Sequence, residues 1–291
     1  MMLKIKPLII IVLFLNMNAI FAQKGKQLFP QTLGRHSVGM VSYTYRNSFA
    51  KDVAQTLDTL KSLGITDIEF SNLFGRKATE IRQLLDERGQ KCSSFGTSYA
   101  NAQNKTAEVG RDAKTLGASF VRIAWIMDKP PFTITDAQKA VENFNRIGKQ
   151  LKEEFGLTFC YHNHGYEYAK HEDGTLMDYI IKNTNPDYVS FELDILWAFF
   201  PGQNPADWLK KYPKRYKLMH LKDLRKGIIG NDSGGTAVEN DVALGTGQLD
   251  IPAILKAAKK SAIEHYYIED ESPSYASQVP ETIEYLKGLK K

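Results

Sequence analysis

The chain is poor in the features that most readily place a protein in a class. Only two of its 291 residues are cysteines, Cys92 and Cys160. Both lie within apolar, strand-like runs and read as small buried hydrophobes, so a disulfide-stapled scaffold is excluded. Neither sign of charge dominates, with 38 Lys and Arg against 33 Asp and Glu interleaved along the chain. Without a basic stripe there is no footprint for nucleic acid, and nucleic acid is excluded as a partner. No Gly-x-Gly-x-x-Gly follows the first strand-like run, which weighs against a dinucleotide-binding fold. The apolar run Leu8–Leu15 is interrupted soon after by Asn16 and Asn18. It falls short of the roughly 18–20 apolar residues that cross a bilayer.

That run is preceded by Lys4 and Lys6, and the small residue Ala22 precedes Gln23. The pattern is that of a secretory signal peptide over residues 1–22, followed by a linker over 23–36 and one domain over 37–291. The expected location is therefore periplasmic or secreted, with no stable membrane insertion after cleavage. The mature chain of about 269 residues suits one large α/β barrel or two average domains.

From Ser37 onward, short apolar or β-branched runs alternate with stretches of helical periodicity. Strand-like runs are expected at Ser37–Ser42, Thr66–Phe70, Cys92–Thr97, Ser119–Trp125, Leu157–Tyr161, Tyr188–Leu193, Tyr216–Met219 and Tyr266–Ile268. Helices are expected between them, including Phe49–Leu63, Ala102–Leu116, Asp136–Phe155, Pro205–Lys211 and Ile251–Lys260, with Ala276–Leu289 last. Gly64, Gly89, Gly117 and Gly156 sit where the first four of these helices should stop. Eight strand–helix units with no break in composition predict a single (β/α)8 TIM barrel. Its active site should then lie at the carboxyl ends of the strands.

Four successive strand ends carry metal-ligand residue types. The fifth ends in Tyr161-His162-Asn163-His164, the sixth in Asp194, the seventh in His220 and the eighth in Glu269. Each alone has a plain structural explanation, a satisfied loop carbonyl for His or a helix cap for Asp and Glu. Together they place two imidazoles and two carboxylates on adjacent strands, where unpaired carboxylates over an apolar floor would be costly without a shared cation. His162, Asp194, His220 and Glu269 are therefore the expected ligands of one divalent ion, with Mn, Co, Zn and Mg all compatible. His164 stands two residues from His162 and would point the same way, as an alternative ligand, a substrate contact or an acid/base. Lys222 stands likewise two residues after His220. Trp125 and Trp197 end or follow strands and could stack on a sugar face. The segment Gly227–Gly247 is long, polar and Gly-rich, as a flap over the site would be.

These motifs, with His220-Leu221-Lys222-Asp223, Leu244-Gly245-Thr246-Gly247-Gln248-Leu249-Asp250 and Ile268-Glu269, resemble the xylose-isomerase-like TIM-barrel superfamily of sugar isomerases, epimerases and dehydratases. The likeness runs from about Ser37 to the end. It implies metal ligands at His162, Asp194, His220 and Glu269, and it sets Thr66-Asp67-Ile68-Glu69 beside the family's second strand, where Glu69 would lie near metal or substrate. One departure is visible. The family's ketose epimerases use carboxylates on both the fifth and eighth strands, and here the fifth-strand position is His162.

The resemblance implies an isomerase or epimerase that abstracts a proton next to the carbonyl of a sugar, through an enediolate. Catalytic roles would fall to Glu269, His164 and Lys222, and substrate contacts to Glu69, Trp125 and Trp197. The alternative is a keto-sugar lyase, for example one acting by β-elimination on a 3-keto-glycoside, which the asymmetric ligand set and export favour. A non-catalytic exported sugar-binding barrel is a further reading. The expected partner is a small sugar or glycoside, unphosphorylated because phosphorylated sugars are scarce outside the cytoplasm.

Overall fold

The computed structural model describes residues 38–289. The signal peptide and linker expected over 1–36 lie outside the described residues, as do Ser37, Lys290 and Lys291. Eight parallel strands close into a barrel: β1 (Val38–Val41), β2 (Asp67–Phe70), β3 (Lys91–Thr97), β4 (Phe120–Ile123), β5 (Thr158–His162), β6 (Val189–Asp194), β7 (Tyr216–Leu221) and β8 (His265–Ile268). The wall runs in chain order and closes where β8 pairs with β1, with Val38 opposite Tyr266 and Met40 opposite Ile268. This is the predicted (β/α)8 barrel.

The period-two alternation of each strand divides the core into two layers. Outward side chains such as Ile68, Val121, Phe159, Phe191 and Met219 join the helices in one continuous apolar cluster. Inside the barrel, Val41, Phe120, Cys160, Leu218 and Tyr267 form a separate apolar plug. Cys92 and Cys160 are both buried and free, one in each cluster. Above the plug the inward residues turn polar, and there the site begins.

The outer helices follow the sequence closely. The helix α1 (Val53–Ser62), α2 (Ala78–Arg88), α3 (Thr106–Leu116) and α4 (Ile134–Phe155) lie between the first five strands. After α4 the chain turns at Gly156, whose φ of 66° is the left-handed conformation that a side chain would resist. The helix expected over Phe49–Leu63 is two helices, Arg46–Lys51 and α1. Asp52 divides them: its backbone is extended and its carboxylate accepts from Gln55 N at 2.9 Å, so it caps a new helix instead of continuing the old one. Likewise Ala102–Leu116 is interrupted at Lys105, leaving Tyr99–Asn104 and α3. A five-residue helix, Ile195–Phe199, follows β6 directly.

Candidate metal and active site

The four strand-end residues converge. One ligand atom from each of His162, Asp194, His220 and Glu269 lies within 4.8 Å of the others, and all four residues are buried. The register explains this, since His162 is paired with Glu192 and Asp194 with His220 across neighbouring strands. His162 Nε2 is 3.3 Å from Asp194 Oδ2, and His220 Nδ1 is 2.7 Å from Glu269 Oε2 and 3.8 Å from Asp194 Oδ2. Asp194 does two jobs. Its Oδ1 accepts from Trp197 N at 2.8 Å and caps the helix Ile195–Phe199, while Oδ2 faces the other ligands. Asn163 clamps β5 to β6, donating to Asp194 O and accepting from Asp194 N at 3.1 Å each.

The ionisation pattern follows from burial and neighbours. Burial is the largest influence on Asp194 and pushes its carboxyl up to about 7. Burial acts the same way on Glu269, yet the charges of Lys222 and His220 outweigh it and hold Glu269 well below the usual carboxylate range. Burial works against a charge on His220 as well, but the carboxylates of Glu192, Glu269 and Glu69 hold its imidazole protonated well above the usual range. Carboxylates that stabilise an imidazolium here would equally stabilise a cation. The donor set, two imidazoles and two carboxylates around one point, fits a divalent ion.

Glu69 lies below this cluster instead of at the cavity wall. Its Oε1 accepts from His220 Nε2 at 2.8 Å and from Arg122 at 2.8 and 3.1 Å. It thereby fixes the His220 ring so that Nδ1 faces the ligand cluster, the role carboxylates commonly take behind a metal-binding histidine. Arg122 also reaches Glu192, with Nε 3.4 Å from Oε2. Burial and the adjacent Glu69 charge push Glu192 well above the usual carboxylate range, opposite in direction to Glu69.

A cavity of about 710 Å3 opens over the cluster, lined by His162, His164, His220 and Glu269 together with both Trp125 and Trp197. His164 is outside the convergent ligand group, its ring centroid 4.6 Å from that of His162 and 5.9 Å from that of Trp197. Burial, then the neighbouring His162, keeps the His164 imidazole uncharged, well below its usual value. The backbone here is set by Glu167, which accepts from His164 N and Gly165 N and from the Tyr161 hydroxyl. Lys222 is buried beneath the cavity, 2.5 Å from Glu271, 3.3 Å from Asp241 and 3.9 Å from Glu269, with its ammonium over the Trp197 ring.

The segment after β7 is built, not loose. Asp223 accepts from the amides of Leu224, Gly245, Gly247 and Leu249 at 2.9–3.2 Å, and Asp223–Leu224 pairs with Asp241–Val242. It carries Gly234, Gly235 and Asp241 into the cavity wall. Arg122, Glu192, Asp241 and Glu271 were not among the expected site residues. For Arg122 and Glu192 a signal existed: each is a charged residue inside an apolar strand, and Glu192 shares the inward face with Asp194 by period two.

Residues 57–289 match the model of the xylose isomerase-like TIM barrel family. The chain belongs to that family. An inosose dehydratase of Bacillus anthracis is 33% identical over 195 residues, covering 60% of this chain and 64% of that protein, so the match spans less than two thirds of the relative. A sugar phosphate isomerase/epimerase from Parabacteroides distasonis superposes with a TM-score of 0.69 at 24% identity, over 87% of this chain and 96% of the other. The IolI protein, solved with a bound zinc atom, superposes with a TM-score of 0.67 at 17% identity, over 86% of this chain and 95% of the other. At such identities these two structures show the shared fold. Enzymes that modify sugars and related polyols recur among the relatives, in support of an enzyme here.

Proposed function

We propose that the protein is a divalent-metal-dependent lyase that removes a proton next to the carbonyl of an unphosphorylated keto-sugar and expels a substituent from the neighbouring carbon. The observation that carries this reading is the convergence of His162, Asp194, His220 and Glu269 under a cavity into which the uncharged His164 also opens. A divalent ion held by these four residues would polarise the carbonyl and offset the negative charge that develops on its oxygen.

The residues divide the remaining work by their charge states. Glu269, kept ionised by Lys222 and His220, is a strong ligand but a weak base. His164 is neutral, with a free ring nitrogen to accept a proton, and it borders both the cavity and the ligand cluster, so its position and not its basicity makes it the proton-transfer group. Lys222 acts through charge, holding Glu269 ionised and tying Asp241 to the floor. The choice of lyase rests on the inosose dehydratase relatives and on His162 standing where a second carboxylate would serve symmetric epimerisation. The cavity wall has three carboxylates, Asp241, Glu269 and Glu271, and one Arg, already engaged by Glu69, which disfavours a phosphorylated substrate. Export through residues 1–22 forms part of the proposal.

Isomerisation or epimerisation is the second reading, favoured by one observation. His164 and Asp241 line the same cavity, and Asp241 is pushed up by burial to about 7, giving two groups able to exchange protons. Incubation in D2O with a keto-sugar separates the readings. Release of water or an alcohol marks the lyase; deuterium incorporation with no release marks the isomerase or epimerase; neither, with metal bound, removes both.

A further inference from the structure

The cavity is larger and more aromatic than a single sugar ring requires. Pockets of about 300–1,000 Å3 hold drug-sized ligands, and this one measures about 710 Å3. Its aromatic groups stand at two depths. Trp197 is buried beside His164, close to the ligand cluster, where the reacting ring must lie. Trp125 is 43% exposed and Tyr43 40% exposed, both lining the same cavity, and Val238 adds a third exposed apolar group. Exposed large apolar side chains around the mouth of one cavity offer a ligand apolar surface to cover.

The Trp125 ring is held as a fixed platform. Its Nε1 donates to Met127 O at 2.7 Å, and it meets His164 and Tyr166 edge-on at centroid distances of 5.2 and 5.0 Å. Its hydrogen-bonding edge is therefore used within the protein while close to half of its surface stays open. Tyr43 is braced similarly, with the Arg46 guanidinium over its ring at 4.5 Å. Neither arrangement contributes to the core, and an indole so exposed gains from being covered by the apolar face of a ring. Gly234 lies against Tyr166 and His164, where an added Cβ would come within 2.7 Å of the Tyr166 ring, so the segment after β7 passes close beside these two rings.

We infer that Trp125, with Tyr43 and Val238, forms an outer subsite for a second ring, so that the substrate is a glycoside or disaccharide whose reacting sugar sits at the metal-ligand cluster and whose aglycone or second sugar stacks on Trp125. This rests on the keto-sugar reading and adds to it a second ring with its own binding place at Trp125. The rigid platform selects for a flat or puckered ring and not for charge, in keeping with a rim built from Tyr43, Trp125 and Val238.

Calorimetric titration of the full-length mature protein with methyl β-D-glucopyranoside and with phenyl β-D-glucopyranoside tests this without needing turnover. The phenyl glycoside should bind about fivefold to tenfold more tightly, the worth of one aromatic contact. In Trp125→Ala the ratio of the two affinities should fall to near one, and Trp125→Phe should keep most of it. Equal affinities in the wild type, or a ratio that survives Trp125→Ala, would overturn the outer subsite while leaving the keto-sugar reading intact. Failure of the phenyl glycoside to bind would likewise overturn the outer subsite, while the keto-sugar reading, whose carbonyl neither probe carries, stands or falls by the D2O incubation.

Discussion

Replacement of Glu69 by Gln isolates the orienting carboxylate from the ligands themselves. Burial alone would raise the Glu69 carboxyl, but Arg122 and His220 overcome it and keep Glu69 ionised far below the usual range. The substitution preserves shape and removes the charge that accepts from His220 Nε2 at 2.8 Å. Loss of such a partner behind a metal-binding His lowers metal affinity by about 10–100-fold, or about 1.4–2.7 kcal/mol. Arg122 would keep Glu192 Oε2, at 3.4 Å, as its remaining ion-pair contact. Breaking a buried ion pair costs about 3–5 kcal/mol, and a domain of this size loses about 2–4 °C of Tm per kcal/mol. The expected outcome is a Tm lower by about 6–20 °C together with weaker metal binding, measured by scanning fluorimetry and by competition against a chelator. A lowered Tm with wild-type metal affinity would refute the idea that Glu69 aims His220 and leave it a purely structural ion-pair partner.

Lys222→Met removes the charge that keeps Glu269 ionised, so the acid limb of the kcat/KM profile should move to higher pH; an unmoved limb would contradict that coupling. His164→Gln should reduce kcat by about 10²–10⁴-fold with stoichiometric metal retained, and loss of metal instead would make His164 a ligand. Burial raises Glu167 to about 7. A carboxyl raised in the fold stabilises below its unfolded value and loses that contribution as pH rises through 7, a change of about 3 kcal/mol. The Tm of the wild type should therefore fall between pH 5 and pH 8 more steeply than that of Glu167→Gln, and parallel curves would contradict this. Expression in a Gram-negative host should yield a periplasmic protein beginning at Gln23, read by N-terminal sequencing; an intact Met1 would remove the export proposal.

The barrel was legible because each unit is self-contained: an apolar run, a polar strand end, a helix and a glycine stop at Gly89, Gly117 or Gly156. Helix interruptions at Asp52 and Lys105 were less so, since a continuous apolar stripe gives no warning of a break; at Asp52 the side chain captures the Gln55 amide. In the site, His162, Asp194, His220 and Glu269 stood out as polar residues that terminate apolar strands. Arg122 and Glu192 sit one step deeper, within the runs, where their charges are compensated by Glu69 and His220 across the barrel. Such pairing depends on strand register and not on local spacing. Lys222, Asp241 and Glu271 come together only through the path of the segment after β7, which nothing in its Gly-rich composition specifies.

Elemental analysis of protein purified without chelator reads the metal site itself. About one divalent metal ion per chain is expected, lost in Asp194→Ala and in Glu269→Ala while both variants remain folded by circular dichroism. A folded wild-type protein that binds no divalent metal, even when Mn, Co, Zn or Mg is supplied, would contradict it.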